Sequence, residues 1–124
     1  MMKSVSLVSI VDDDESVRES LPDLVRELGF AARAFSSAEE FLDSDAVSET
    51  QCVILDIAMP GMKGPELRGE LKRRRINIPT IFITAHRDEA ERTRLIKEGA
   101  VACLFKPFTD TALLDALNAV FRAK

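Results

Sequence analysis

The sequence predicts an α/β fold, a parallel sheet with helices on both faces, and three observations lead there. Short apolar runs alternate with amphipathic stretches five times along the chain. The runs, such as those ending at Val11, Leu55 and Ile83, are nearly continuous rather than alternating, as strands buried on both faces read. Four of them end in side chains with chemistry: Asp12 with Asp13, then Asp56, Thr84 and Lys106. Ligands of open parallel sheets bind beyond the carboxyl ends of the strands, so these groups are expected to converge on one edge.

The first strand is expected from Val5 to Val11. Val17, Leu21, Leu24, Val25 and Leu28 then share one helical face, and Gly29 is a suitable stop. Pro22 lies inside that stretch and removes a backbone hydrogen bond, so the helix either kinks there or becomes regular only near Ser20. Phe30 to Phe35 is a second, weaker strand. Ser36 or Ser37 opens the next helix, with Glu39 and Glu40 in its first turn and Phe41, Leu42 and Val47 as its buried face.

Cys52 to Leu55 is the third strand. Pro60, Gly61 and Gly64 make a loop, and Pro65 suits the first turn of a helix that buries Leu67 and Leu71. The fourth strand runs from Pro79 to Ile83. Asp88 to Glu98 is a polar helix stopped by Gly99, anchored mainly by Leu95 and Ile96. Val101 to Phe105 is the fifth strand. Thr109 to Arg122 is the last helix, with Leu113, Leu114, Leu117, Val120 and Phe121 inward. Alternation of this kind gives one sheet flanked by helices on both sides.

Composition bounds the rest. The 124 residues, 46% of them hydrophobic, suit one folded domain over 1–124. Net charge is -4, so the basic cluster Lys72, Arg73, Arg74 and Arg75 reads as a solvated helix end rather than a nucleic-acid surface. Cys52 and Cys103 fall inside strands and read as buried free thiols of a reducing compartment. The N-terminus carries no signal-peptide pattern and no run is long enough to span a membrane, so a cytoplasmic location is expected.

Three carboxylates, a hydroxyl and an ammonium on one edge suit a hard cation together with a phosphoryl group. Taken singly, each residue also has a plainer reading. Asp56 can cap the loop that follows it, and the acidic run Asp12 to Glu15 can complement a helix N-terminus. Thr84 can be an ordinary β-branched strand residue, and Lys106 a solvated lysine. For Asp14 and Glu15 the helix role is the expected one.

In order, however, Val11 to Glu15, Asp56 to Gly64 with its Met59, Pro60 and Met62, Thr84 with Ala85, and Lys106, Pro107 and Phe108 resemble the motifs of response regulator receiver domains. Ser37 to Leu42 and Lys97 to Val101 are most similar to the FixJ-type transcriptional regulators. The resemblance covers essentially the whole chain. It implies a flavodoxin-like three-layer sandwich with strand order 2-1-3-4-5. It implies that Asp56 accepts a phosphoryl group from a sensor histidine kinase, that Thr84 and Lys106 bind phosphoryl oxygens, and that Mg²⁺ is held by Asp12, Asp13, Asp56 and the backbone carbonyl of Ala58. Carboxylates do form acyl phosphates, and Mg²⁺ takes oxygen ligands beside phosphate. The protein is then a phospho-acceptor that assists its own phosphorylation and dephosphorylation, not an enzyme. A cis Lys106–Pro107 bond is implied too, where the sequence alone defaults to trans.

The resemblance further implies an output or dimer surface switched by phosphorylation. DNA is contacted only through an output domain outside this chain, a stand-alone regulator being the alternative, and no membrane partner is implied. Two positions depart from the family pattern. Cys103 stands where many receivers have an aromatic residue, and Phe105 lies at an offset that does not replace it. A rotamer flip is therefore not expected as the readout; a loop closing on Thr84 and Lys106 is expected to repack the fourth helix, fifth strand and last helix. Ala58 is the second departure, and it disfavours a haloacid-dehalogenase-like phosphatase, which needs an acid there. A flavodoxin-type flavin site lacks its hydroxyl-rich loop after the first strand, and an EF-hand lacks its alternating acids and central glycine. His86 is expected to border the site rather than to react.

Overall fold

Five strands, β1 (Leu7–Val11), β2 (Ala31–Phe35), β3 (Thr50–Asp56), β4 (Thr80–Thr84) and β5 (Ala102–Phe105), pair in parallel in the order β2-β1-β3-β4-β5. Five helices connect or follow them: α1 (Glu15–Glu27), α2 (Ala38–Leu42), α3 (Gly64–Arg73), α4 (Glu89–Lys97) and α5 (Asp110–Phe121). This computed structural model describes residues 5–122. The architecture and strand order are those the resemblance implies.

Alternation along the strands splits the core into two layers. Val11, Val53, Leu55, Phe82 and Cys103 face one side, where Phe41, Leu67, Leu71 and Leu95 of α2, α3 and α4 cover them. Val8, Ile10, Cys52, Ile54, Ile81 and Ile83 face the other, under Leu21 and Val25 of α1 and Leu113 and Leu117 of α5. The central strand β3 is buried at Cys52 through Asp56, which fits its unbroken apolar run. The two cysteines lie in different layers, so both remain free thiols. Burial pushes the Cys52 thiol up to about 12 and raises that of Cys103, which makes them packing residues rather than nucleophiles.

The helix ends follow local chemistry. Asp14, Ser37, Asp88 and Thr109 each accept a backbone N–H from the first turn of α1, α2, α4 and α5. Gly29 and Gly99 stop α1 and α4 with φ of 103° and 110°, a region where a side chain is strained.

Several expectations need correction. The helix α1 runs unbroken from Glu15 through a buried Pro22 rather than starting near Ser20, because Asp14 caps it six residues earlier than that. The stretch after Ser37 is not one helix: α2 ends at Leu42, and Val47 sits in a separate 3₁₀ turn, Asp45–Ser48, capped by Ser44. Leu114 is half-buried and outside both core layers, because the inward face of α5 is Leu113, Ala116, Leu117, Val120 and Phe121. Ile96 is 41% exposed, leaving Leu95 as the one buried side chain of α4. The strands end later than their apolar runs suggest, since Asp56 and Thr84 are themselves the last ladder residues of β3 and β4.

No helix among the described residues is long and apolar enough to cross a membrane.

Candidate functional site

The carboxyl ends of β1, β3, β4 and β5 bring the chemistry-bearing residues to one edge. Asp12 follows β1 and is fully buried, its N–H donating to the Phe35 carbonyl at 3.1 Å. One carboxylate oxygen of Asp12 accepts the Asp14 N–H at 2.9 Å, and the other accepts Lys106 Nζ at 2.8 Å. Arg18 of α1 reaches back and donates to the Asp12 carbonyl at 3.0 Å. Asp13, next in the chain, points to the exposed rim of the same cluster. Asp14 is spent on capping α1, and its bonds from Ser16 hold its carboxyl below the usual range.

Asp56 is 6% exposed, and Lys106 Nζ stands 3.9 Å from it. Oxygens of Asp12, Asp13 and Asp56 all lie within 4.8 Å of one another. Burial, and then the negative charge of Asp12, push the Asp56 carboxyl up to about 7, against the pull of Lys106. Three carboxylates crowded around one point, with one lysine to balance them, make a donor set that fits a hard divalent cation.

Thr84 is 2% exposed at the end of β4, and its Oγ1 accepts the His86 N–H at 3.1 Å. The Lys106 N–H donates to the Thr84 carbonyl at 2.8 Å, which ties the two residues into one corner, and the Lys106–Pro107 bond is cis. Ile57, Ala58, Lys63, Thr84 and His86 line an open cleft of about 570 Å³ beside this corner. His86 is exposed on its wall, the border position expected of it.

The loop after Asp56 is held from both sides. The Ile57 N–H donates to the Ile83 carbonyl at 3.1 Å, and the Gly64 N–H donates to the Ile57 carbonyl at 3.1 Å. Glu39 of α2 reaches across and accepts the Met62 N–H at 3.1 Å, a contact sequence reasoning missed. Its partner lies 23 residues away, so no local pattern announces it. Arg18 escaped notice for a different reason: its partner is a backbone carbonyl, which carries no side-chain signature.

Phe105 stands two residues from Cys103 on β5, and its ring lies beside Arg92 of α4. Its ring lies 5.4 Å from the guanidinium carbon of Arg87 and 5.4 Å from that of Arg92.

Comparison with known proteins adds the family context. A profile of the response regulator receiver domain matches residues 8–118. The chain is 46% identical to nodulation protein W of Bradyrhizobium diazoefficiens over 92% of its own length and 50% of that protein. It is 41% identical to the transcriptional regulatory protein FixJ of Rhizobium meliloti, over 90% of this chain and 54% of FixJ. The crystal structure of FixJ-N superposes with a TM-score of 0.84 at 37% identity, covering 99% of this chain and 98% of that one. The chain therefore spans about half the length of the curated relatives it matches.

Proposed function

The chain belongs to the family of response regulator receiver domains of two-component systems, and from that premise we propose that Asp56 accepts a phosphoryl group from a histidine kinase and that the change switches an output surface. The observation that carries this reading is the meeting of Asp12, Asp13 and Asp56 with Lys106 at one sheet edge. Asp12, Asp13, Asp56 and the Ala58 carbonyl would hold Mg²⁺, which when bound neutralises charge on the transferring group.

In the transfer, an oxygen of Asp56 attacks the phosphorus of a phosphohistidine, the N–P bond breaks and the imidazole leaves. Asp56 must be ionised to do this, and Lys106 beside it favours that form. Lys106 now rests on Asp12, close enough to Asp56 to turn to a phosphoryl oxygen. Thr84 Oγ1 accepts from the His86 N–H and keeps its own proton for a second phosphoryl oxygen. Drawing Thr84 inward pulls on the loop that carries His86.

We read the domain as cytoplasmic, with a sensor histidine kinase as its partner and a dimer as one outcome of phosphorylation. The curated relatives are about twice as long, which supports an output domain elsewhere in a longer protein as the part that contacts DNA. Acetyl phosphate with Mg²⁺ should add one hydroxylamine-labile phosphoryl group, read by intact mass. Chelating the metal should slow uptake at least about 100-fold, and Asp56→Asn should take up none. Label persisting on Asp56→Asn would move the acceptor elsewhere.

A further inference from the structure

The stretch Ser37 to Leu42 carries part of the family resemblance, yet the phosphoryl chemistry described above does not use it. It caps and forms α2, and its root is rigid. Phe41 is fully buried and meets Phe35 edge-on, with ring centroids 5.3 Å apart. Ser37 caps the first turn by accepting the Glu40 N–H at 3.0 Å. Glu40 turns back on the same cap and accepts the Ser36 N–H at 2.6 Å. Glu39 does neither: its carboxylate leaves the helix and accepts the Met62 N–H at 3.1 Å.

The loop from Ala58 to Lys63 is closed at its base, where the Gly64 N–H donates to the Ile57 carbonyl. Within it, the N–H groups that find a hydrogen-bond partner among the described residues are those of Met62 and Lys63. That of Lys63 goes to Glu66, in the first turn of α3 itself. Among the described residues, Glu39 is thus the one acceptor that reaches these N–H groups from another element. The loop leaves room for it. Gly61 has a φ of 74°, and a methyl group there would stand 3.0 Å from Glu39 Oε2.

We propose that Glu39 is a positioning residue for the cation site: by holding Met62 it fixes the loop whose Ala58 carbonyl, with Asp12, Asp13 and Asp56, would hold Mg²⁺. This rests on the metal reading above. An octahedral cation tolerates little displacement of an oxygen ligand. A carbonyl on a loose loop has to be ordered each time the cation binds, and a loop ordered beforehand avoids that cost. The bond from Met62 is made to a charged oxygen, which makes it stronger than one between neutral groups. Groups that orient a metal ligand change affinity about 10- to 100-fold when removed. Glu39 is exposed, which places it at the lower end.

The test is a calorimetric titration of the full chain with Mg²⁺, alongside phosphoryl uptake from acetyl phosphate across a range of Mg²⁺ concentrations. Glu39→Ala is expected to raise the Mg²⁺ dissociation constant about tenfold. Glu39→Gln keeps an acceptor oxygen and should stay within about twofold of the native value. Glu40→Ala removes the same charge from the neighbouring position and should also stay within about twofold, since a diffuse field from exposed charge is screened. In Glu39→Ala, the Mg²⁺ concentration giving half-maximal uptake should rise with the dissociation constant, while the rate at saturating Mg²⁺ stays within about twofold. Native Mg²⁺ affinity in Glu39→Ala, whatever its urea midpoint, leaves only a structural tie and overturns the proposal. Glu39→Gln as weak as Glu39→Ala assigns the effect to charge and overturns it too. Native protein that binds no Mg²⁺ overturns the metal reading and this proposal with it. Native protein that binds Mg²⁺ but takes up no phosphoryl group overturns the phospho-acceptor reading alone, and the calorimetric arm still decides the role of Glu39.

Discussion

Gly64→Ala is expected to destabilise the domain by about 3 kcal/mol or more, while Gly69→Ala on the same helix should stabilise it by about 0.5–1 kcal/mol. The difference lies in what a methyl group would meet. At Gly64 it would stand 2.3 Å from the Asp56 carbonyl oxygen and 3.2 Å from the Ile57 Cα, all of it backbone that cannot turn aside. Relief requires α3 to back away from the strand that carries Asp56, and the Gly64 N–H to lose its bond to the Ile57 carbonyl. At Gly69 the methyl meets nothing, so only the helical preference of alanine remains. Urea denaturation with an unchanged slope and opposite shifts in midpoint is the expected result. A Gly64→Ala protein as stable as the native one would contradict the close approach of α3 to the acceptor strand.

Metal-free protein is expected to lose stability as pH rises from about 4 to about 7, and Asp56→Asn to remove most of that loss. Burial and Asp12 raise the Asp56 carboxyl from 3.8 to about 7 in the folded state. Below the lower value Asp56 is protonated in both states and contributes no pH dependence. Between the two values the folded state holds a proton that the unfolded chain has released, so stability falls as pH rises. Above the upper value both states are ionised, and the full cost remains, up to about 4 kcal/mol. At pH 8 without metal, Asp56→Asn should therefore be more stable than the native protein by about 2–4 kcal/mol. Mg²⁺ should raise the melting temperature of the native protein by mass action on the folded state and do less for the variant. Parallel stability profiles for the two proteins would show that the carboxylates are not crowded as described.

The site was legible in the sequence because each of its residues closes a strand. An apolar run that stops at Asp12, Asp56, Thr84 or Lys106 announces both the strand and the edge on which its last side chain lies, and parallel pairing gathers those edges. Element boundaries were less legible, since the ladder continues one residue past the apolar run to include Asp56 and Thr84. Pro22 misled about where the helix begins, because the Asp14 cap starts it at Glu15 and its hydrogen-bonded turns continue past the proline to Glu27. The 3₁₀ turn at Asp45–Ser48 was hidden because Val47 still packs against the core, as a longer helix would have required. Contacts between distant elements were not legible at all. Nothing near Glu39 points to the Met62 N–H, and nothing near Phe105 points to a loop arginine and a helix arginine on one ring.

The central claim is that Asp56 carries the phosphoryl group, and borohydride trapping tests it most directly. Reduction of an aspartyl phosphate converts that residue to homoserine, which marks its position after proteolysis and mass spectrometry. Protein incubated with acetyl phosphate and Mg²⁺, then treated with borohydride, should yield homoserine at position 56 and at no other acidic residue. Homoserine at position 12 or 13, or phosphate retained on His86 with none at Asp56, would contradict the account.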